Sequence, residues 1–184
     1  VALMMDADLY GKNDEKTVDL WTINAKYAYD LGANGTILTK AGYIQGKLAD
    51  EQKSKAWGLF LGYSQDAFGV SASYAKGDHR GTTTNTPVTT LNKHKDKSQG
   101  WDLGASFSFG PNYFSTIRAT YGENQVKYDG DKDKVKSWAV GFEQKLSTRT
   151  RAWVEYGKED VKFAEKDSNK YKTDVISIGM RHDF

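Results

Sequence analysis

A chain of 184 residues has the length of a single domain, and 26 Lys and Arg against 24 Asp and Glu leave a net charge of +2. That balance gives no ground for a nucleic-acid partner, and the lack of Cys excludes a disulfide framework or a cysteine-held metal centre. No apolar run approaches the roughly 20 residues a membrane helix needs; instead, 13% aromatics and 18 Gly point to a β protein. The chain opens on Val1 without a charged stretch and apolar core behind it, so the expectation is a removed export signal or a start inside a longer chain.

From the N-terminus onward the dominant period is two, the signature of strands with one apolar and one polar face. Val1–Tyr10 sets Leu3, Met5, Ala7 and Leu9 opposite Asp6 and Asp8. Val18–Asp30 alternates Trp21, Ile23, Ala25, Tyr27 and Tyr29 with Thr22, Asn24 and Lys26, then reaches Asn34-Gly35, a hairpin signal. Thr36–Gly46 places Ile37, Ala41 and Tyr43 against Lys40 and Gly42. Lys55–Gln65 (Trp57, Leu59, Leu61, Tyr63) and Phe68–Gly77 (Val70, Ala72, Tyr74) repeat the unit around a turn at Ala67. Ser98–Phe109 sets Trp101, Leu103, Ala105 and Phe107 against Asp102, Gly104 and Ser106, and Tyr113–Asn124 sets Ile117, Ala119 and Tyr121 against Thr116, Arg118 and Thr120. Lys134–Leu146 opposes Trp138, Val140 and Phe142 to Gly141, Glu143 and Lys145. Thr150–Asp160 opposes Ala152, Val154 and Tyr156 to Arg151, Trp153 and Glu155, and Lys172–Phe184 opposes Ile176, Ile178 and Met180 to Ser177, Gly179 and Arg181.

These ten predicted strands form one hairpin repeat, and residues 1–184 read as one all-β domain. Tight turns near Gly32, Ala67, Pro111 and Thr148 alternate with longer polar connections near Asn13, Ala49, Asn85, Asp131 and Lys166. Short turns at one end and long loops at the other describe a transmembrane antiparallel up-and-down β-barrel. Aromatics support this by falling at two heights. Trp21, Trp57, Trp101 and Trp138 share a level with Tyr43, Tyr74, Tyr121 and Tyr156; Tyr29, Tyr63, Phe68, Phe109, Tyr113 and Phe184 mark the other. Aromatic rings favour both lipid–water interfaces. A soluble sandwich fits less well, because the face opposite the aromatics is polar, with Trp153 as its exception.

The ending Ile178-Gly179-Met180-Arg181-His182-Asp183-Phe184 resembles the last strand of Gram-negative porins, including the terminal Phe that barrel assembly reads. Leu146-Ser147-Thr148-Arg149-Thr150, Tyr27-Ala28-Tyr29-Asp30-Leu31-Gly32 and Trp138-Ala139-Val140-Gly141 are similar to the proteobacterial trimeric general diffusion porins. The resemblance implies a water-filled channel for passive diffusion of small hydrophilic solutes and ions, in the outer membrane of a Gram-negative bacterium. It also implies a homotrimer in contact with outer-membrane lipid and lipopolysaccharide. No nucleic-acid partner is expected from the charge balance, and no cofactor or metal from the residue spacing. Such porins have sixteen strands, so two expectations stand: the C-terminal ten strands of a larger barrel, or a ten-stranded barrel in its own right. No acidic constriction loop is recognisable.

If the apolar face meets lipid, the other face carries the candidate pore-lining residues Lys26, Lys40, Asp102, Arg118, Glu143, Arg151, Glu155 and Arg181. The resemblance implies a basic ladder of Lys40, Arg118, Arg151 and Arg181 selecting solutes by charge, tilted towards anions. Mutual pairing of these charges to stiffen the wall is the competing account. A structural or adhesin-like barrel without an open pore is the alternative function, and a ten-stranded outer-membrane protease a remoter one. The sequence offers that chemistry little: adjacent Asp78 and His79 point to opposite faces of a strand, His94 sits in a Lys-rich loop, and His182 should face outward. No catalytic residue or enzyme activity is expected. The Asp129-Gly130-Asp131-Lys132-Asp133 stretch reads as a solvated loop, since it lacks the later bidentate Glu of a calcium loop.

Overall fold

A computed structural model describes residues 2–4, 20–47, 53–79, 82–85, 88–91, 96–128, 131–163 and 170–183. Its elements are β1 (Ala2–Met4), β2 (Leu20–Asp30), β3 (Thr36–Lys47), β4 (Lys53–Gln65), β5 (Phe68–His79), β6 (Thr82–Asn85), β7 (Val88–Leu91), β8 (Asp96–Phe109), β9 (Ser115–Tyr128), β10 (Asp131–Lys145), β11 (Thr150–Lys162) and β12 (Lys170–His182). All neighbours pair antiparallel in chain order, β1-β2-β3-β4-β5-β8-β9-β10-β11-β12, with β6 and β7 as a separate hairpin between β5 and β8. The sheet is therefore up-and-down, and among the described residues β1 and β12 are its edges. The strands of the sheet fall in the ten predicted segments, but several run further. β8 has 14 residues and β10 has 15, against the 9–11 or so that a tilted strand needs to cross a bilayer.

The surplus lies at the long-loop end and corrects one expectation. The connection near Asp131 is short: β9 and β10 pair as far as Tyr128↔Asp131, so Asp131, Lys132 and Asp133 belong to a strand and only residues 129 and 130 intervene. Charged side chains do not stop a ladder whose backbone groups satisfy one another, and Asp129-Gly130 suits a two-residue hairpin. At the other end, Pro111–Tyr113 forms a single 3-10 turn in which Asn112 and Tyr113 take positive φ (52° and 54°), so β9 starts at Ser115 and not at Tyr113. Gly35 closes the β2–β3 turn at φ 95°, where a side chain would meet the Ser64 carbonyl oxygen.

Among the described residues no hydrophobic side chain is buried. Leu59, Leu61, Leu103, Ile117, Val140, Val154, Ile176 and Ile178 all lie exposed, Ile178 by 80%. An apolar surface this continuous is untenable in water and is stable only against another apolar phase. Both predicted aromatic levels exist on it, although Tyr113 sits in the turn after β8 and Phe184 lies outside the described residues. Tyr43, Tyr74 and Tyr121 sit directly opposite Trp57, Trp101 and Trp138 on the next strand. The diagonal pairs Trp21–Tyr43, Trp57–Tyr74, Trp101–Tyr121 and Trp138–Tyr156 bring ring centroids to 5.0, 5.3, 5.6 and 5.5 Å. Eight rings thus make an unbroken belt from β2 to β11. At the second level Phe109 contacts Phe107 and Phe142. From Trp101 to Phe109 is about 20 Å along the membrane normal, at 3.3 Å per residue and a tilt near 40°. That is the apolar band of a membrane barrel.

Candidate functional site

The candidate site is the face opposite the belt. Its composition follows from parity: positions between the apolar ones along each strand are mostly Gly, Ser, Thr, Asn, Ala and charged residues, and pleating sends them all to one side. Lys26, Lys40, Asp102, Arg118, Glu143, Arg151, Glu155 and Arg181 share this face. Asp6 and Asp8 lie outside the described residues.

The charges fall into two groups. On β9–β11, Arg118 bridges two carboxylates, with Nη2 3.3 Å from Glu143 Oε2 and Nε 3.1 Å from Glu155 Oε1. Arg151 Nη1 reaches Glu143 Oε1 at 4.0 Å. Gly141, between Arg118 and Glu155 in register, leaves room for these side chains to meet across two strands. Arg181 turns to its near neighbour, Nε 2.7 Å from Asp183 Oδ1. Asp102 accepts a hydrogen bond from the Ser73 hydroxyl. On β2 and β3 the picture differs. Lys26 and Lys40 stand directly opposite each other, and neither forms an ion pair among the described residues. Lys40 Nζ sits 5.1 Å from the centroid of the Phe60 ring, a cation–π contact.

Phe60 is a residue that sequence reasoning missed. It lies within an unbroken apolar run, Leu59-Phe60-Leu61, and its parity puts it on the polar face opposite Lys40. Trp153 is therefore not the sole large exception there; its ring packs over Gly179 across the β11–β12 pair, where any Cβ would overlap it. Leu38 and Ile44 share that side as well. A concavity of about 440 Å³ runs past Asn24, Lys26, Lys40, Gly42, Phe60 and Ser73, and a second of about 350 Å³ past Ser71, Ser106, Arg118 and Thr120. Among the described residues, no cluster of three potential metal ligands occurs. His182 faces outward, its Nδ1 2.8 Å from Thr150 Oγ1, and His79 and His94 offer no side chain within the described residues.

An antiparallel meander with an apolar, doubly belted face and a charged opposite face is the wall of an outer-membrane β-barrel. The same fold appears in solved structures of OmpT, an outer membrane protein of Vibrio cholerae. The in-vitro folded form matches with a TM-score of 0.67 at 17% identity, over 88% of this chain and 49% of that one. A loop L8 deletion mutant matches at 0.68, again with 17% identity, over 88% of this chain and 52% of that one. The chain thus spans about half the length of these structures. No curated protein sequence matches it. A family profile does: residues 5–164 match the Gram-negative porins, and the chain belongs to that family of the bacterial outer membrane.

Proposed function

We propose that this sheet forms part of the wall of a water-filled passage through which small hydrophilic solutes and ions diffuse, without catalysis. The observation that carries the reading is the segregation of faces: eight charged side chains among Gly, Ser and Thr lie opposite an apolar face that needs an apolar cover. Water must then lie against the polar face. The wall charge is unevenly compensated. Arg118 and Arg151 are matched by Glu143 and Glu155, and Arg181 by Asp183. Among the described residues Lys26 and Lys40 form no ion pair, so they, more than the arginines of the ladder, would set a preference for anions. A homotrimer belongs to the same reading, on the family likeness.

Planar-bilayer recording tests it. A passage gives discrete conductance steps; a structural barrel without an open pore gives none. With Lys26→Glu and Lys40→Glu combined, the reversal potential in a salt gradient should move towards cation preference. The shift should shrink as salt rises from about 0.1 M to 1 M, because the screening length falls from about 10 Å to about 3 Å. An unchanged reversal potential in a normally assembled double variant removes these lysines from the water path.

A further inference from the structure

On the polar face, two rows of register neighbours lie side by side across β2 to β8 and differ in height. Lys26, Lys40, Phe60, Ser73 and Asp102 form one; Asn24, Gly42, Gly58, Ala75 and Gly100 form the other, one step nearer the long-loop end. The second row is a floor. Gly42 and Gly58 stand directly opposite each other without side chains, and Ala75 continues the floor on β5. Asn24 lays its amide across Gly42, where a Cβ would overlap it. The first row is a wall of unlike members, and the concavity of about 440 Å³ lies against both rows.

Lys26 and Lys40 are exposed, and like charges directly opposite in a sheet repel. The acid of their own row, Asp102, stands three strands from Lys40, about 14 Å at the spacing of a sheet, where it takes the Ser73 hydroxyl. An anion between the two ammonium groups relieves their repulsion and gains charge-assisted hydrogen bonds from both. Phe60 adds what a plain anion site lacks. Its half-buried ring borders both concavities, rests against Gly62 on one side and lies 5.1 Å from Lys40 Nζ. It offers a flat apolar surface beside two cations, on a face otherwise made of small and polar groups.

We infer that Lys26, Lys40 and Phe60, set over the glycine floor, form a binding subsite for aromatic monocarboxylates, anions that carry one charge on a flat apolar body. The carboxylate sits between the two ammonium groups, and its ring lies on Gly42 and Gly58 with an edge against Phe60. From Gly42 to Ala75 the floor is about 10 Å wide at the spacing of a sheet, room for one ring and its carboxylate. A mostly apolar concavity with a few placed polar groups is the usual form of a small-molecule site. Asp102 closes the row with a negative charge, so a second carboxylate on the far side of the ring is repelled. The inference deepens the proposed passage by naming a solute class, and it rests on that reading only in that water must reach this face.

The test uses the full chain folded in detergent micelles, with binding read from the broadening of ligand NMR lines beyond that in protein-free micelles. The probes are benzoate, acetate, benzyl alcohol and terephthalate. Benzoate should bind about fivefold more tightly than acetate, the gain of one aromatic contact, and more tightly than terephthalate or benzyl alcohol. Lys40→Gln should weaken benzoate about tenfold. Phe60→Leu, which keeps the bulk and loses the ring face, should weaken benzoate about threefold and leave acetate unmoved. Arg149→Gln, in the turn before β11, should change neither. Heat-modifiable migration reports folding; if Phe60→Leu fails to fold, the exposed Lys26→Gln and Lys40→Gln are read instead, each expected to remove most of benzoate's advantage over benzyl alcohol. Benzoate bound no better than acetate, benzyl alcohol or terephthalate overturns the proposal, as does unchanged benzoate affinity in folded Lys40→Gln. Conductance judges the passage separately. The expected binding pattern in a protein without conductance steps upholds the subsite and refutes the passage; conductance without benzoate binding does the reverse.

Discussion

Arg118 offers the sharpest check on how the polar face is held together. In Arg118→Gln, two carboxylates lose a common cation. The gross attraction at about 3–4 Å is about 4 kcal/mol per pair at an effective dielectric of 20, but exposure discounts it unequally. The Glu155 side chain is 39% exposed, as is much of Arg118 at 40%, so that contact is worth at most about 1 kcal/mol. Glu143 is only 14% exposed and accepts a hydrogen bond from Arg118 Nη2, which places it in the range of about 1.5–3 kcal/mol for bonds between charged groups. Arg151, 4.0 Å from Glu143, recovers part of the loss. The expected destabilisation is about 2–3 kcal/mol, with the larger share assigned to Glu143. Urea unfolding in phospholipid vesicles, followed by tryptophan fluorescence, measures it through two double-mutant cycles, Arg118→Gln with Glu143→Gln and with Glu155→Gln. The coupling to Glu143 should exceed that to Glu155 by about 1 kcal/mol. A reversed order, or both couplings under about 0.3 kcal/mol, would refute the claim that burial decides which carboxylate matters.

Two further outcomes follow from the faces of the sheet. Val140 lies in the middle of the apolar band, level with Ala105 and Ala119, while its neighbour Ala139 is on the polar face. Val140→Arg should therefore cost about 2–4 kcal/mol and Ala139→Arg far less, as read by the same unfolding assay; equal costs would reverse the assignment of faces. Gly179→Ala pushes a methyl into the Trp153 ring and should lose about 1–3 kcal/mol. Trp153→Leu in the same chain should restore most of that loss, and failure to do so would mean the glycine is required for some other reason.

Much of this protein could be read from the order of its residues. The period of two is a property of each strand alone: once Trp101, Leu103, Ala105 and Phe107 alternate with Asp102, Gly104 and Ser106, pleating assigns every side chain to a face. The ten segments of the sheet, the two aromatic levels and the shared face of the eight charged residues follow from that local rule. Phe60 does follow from it, since Trp57, Leu59, Leu61 and Tyr63 take the other parity, but the apolar run Leu59-Phe60-Leu61 masks it as one more lipid-facing residue. The short β9–β10 connection escaped it because Lys and Asp imitate a loop, although a ladder beyond the membrane tolerates them.

What needed the tertiary structure is everything that depends on register between strands. Turn geometry and hairpin length set which residue faces which, and no single strand encodes that offset. Register brings Arg118 between Glu143 and Glu155 and sets Lys26 beside Lys40, with no carboxylate partner among the described residues. It also stacks Tyr43 and Trp57 into one belt. Face is decided within a strand; partners are decided between strands, because opposed side chains meet only where two backbones have been held about 5 Å apart.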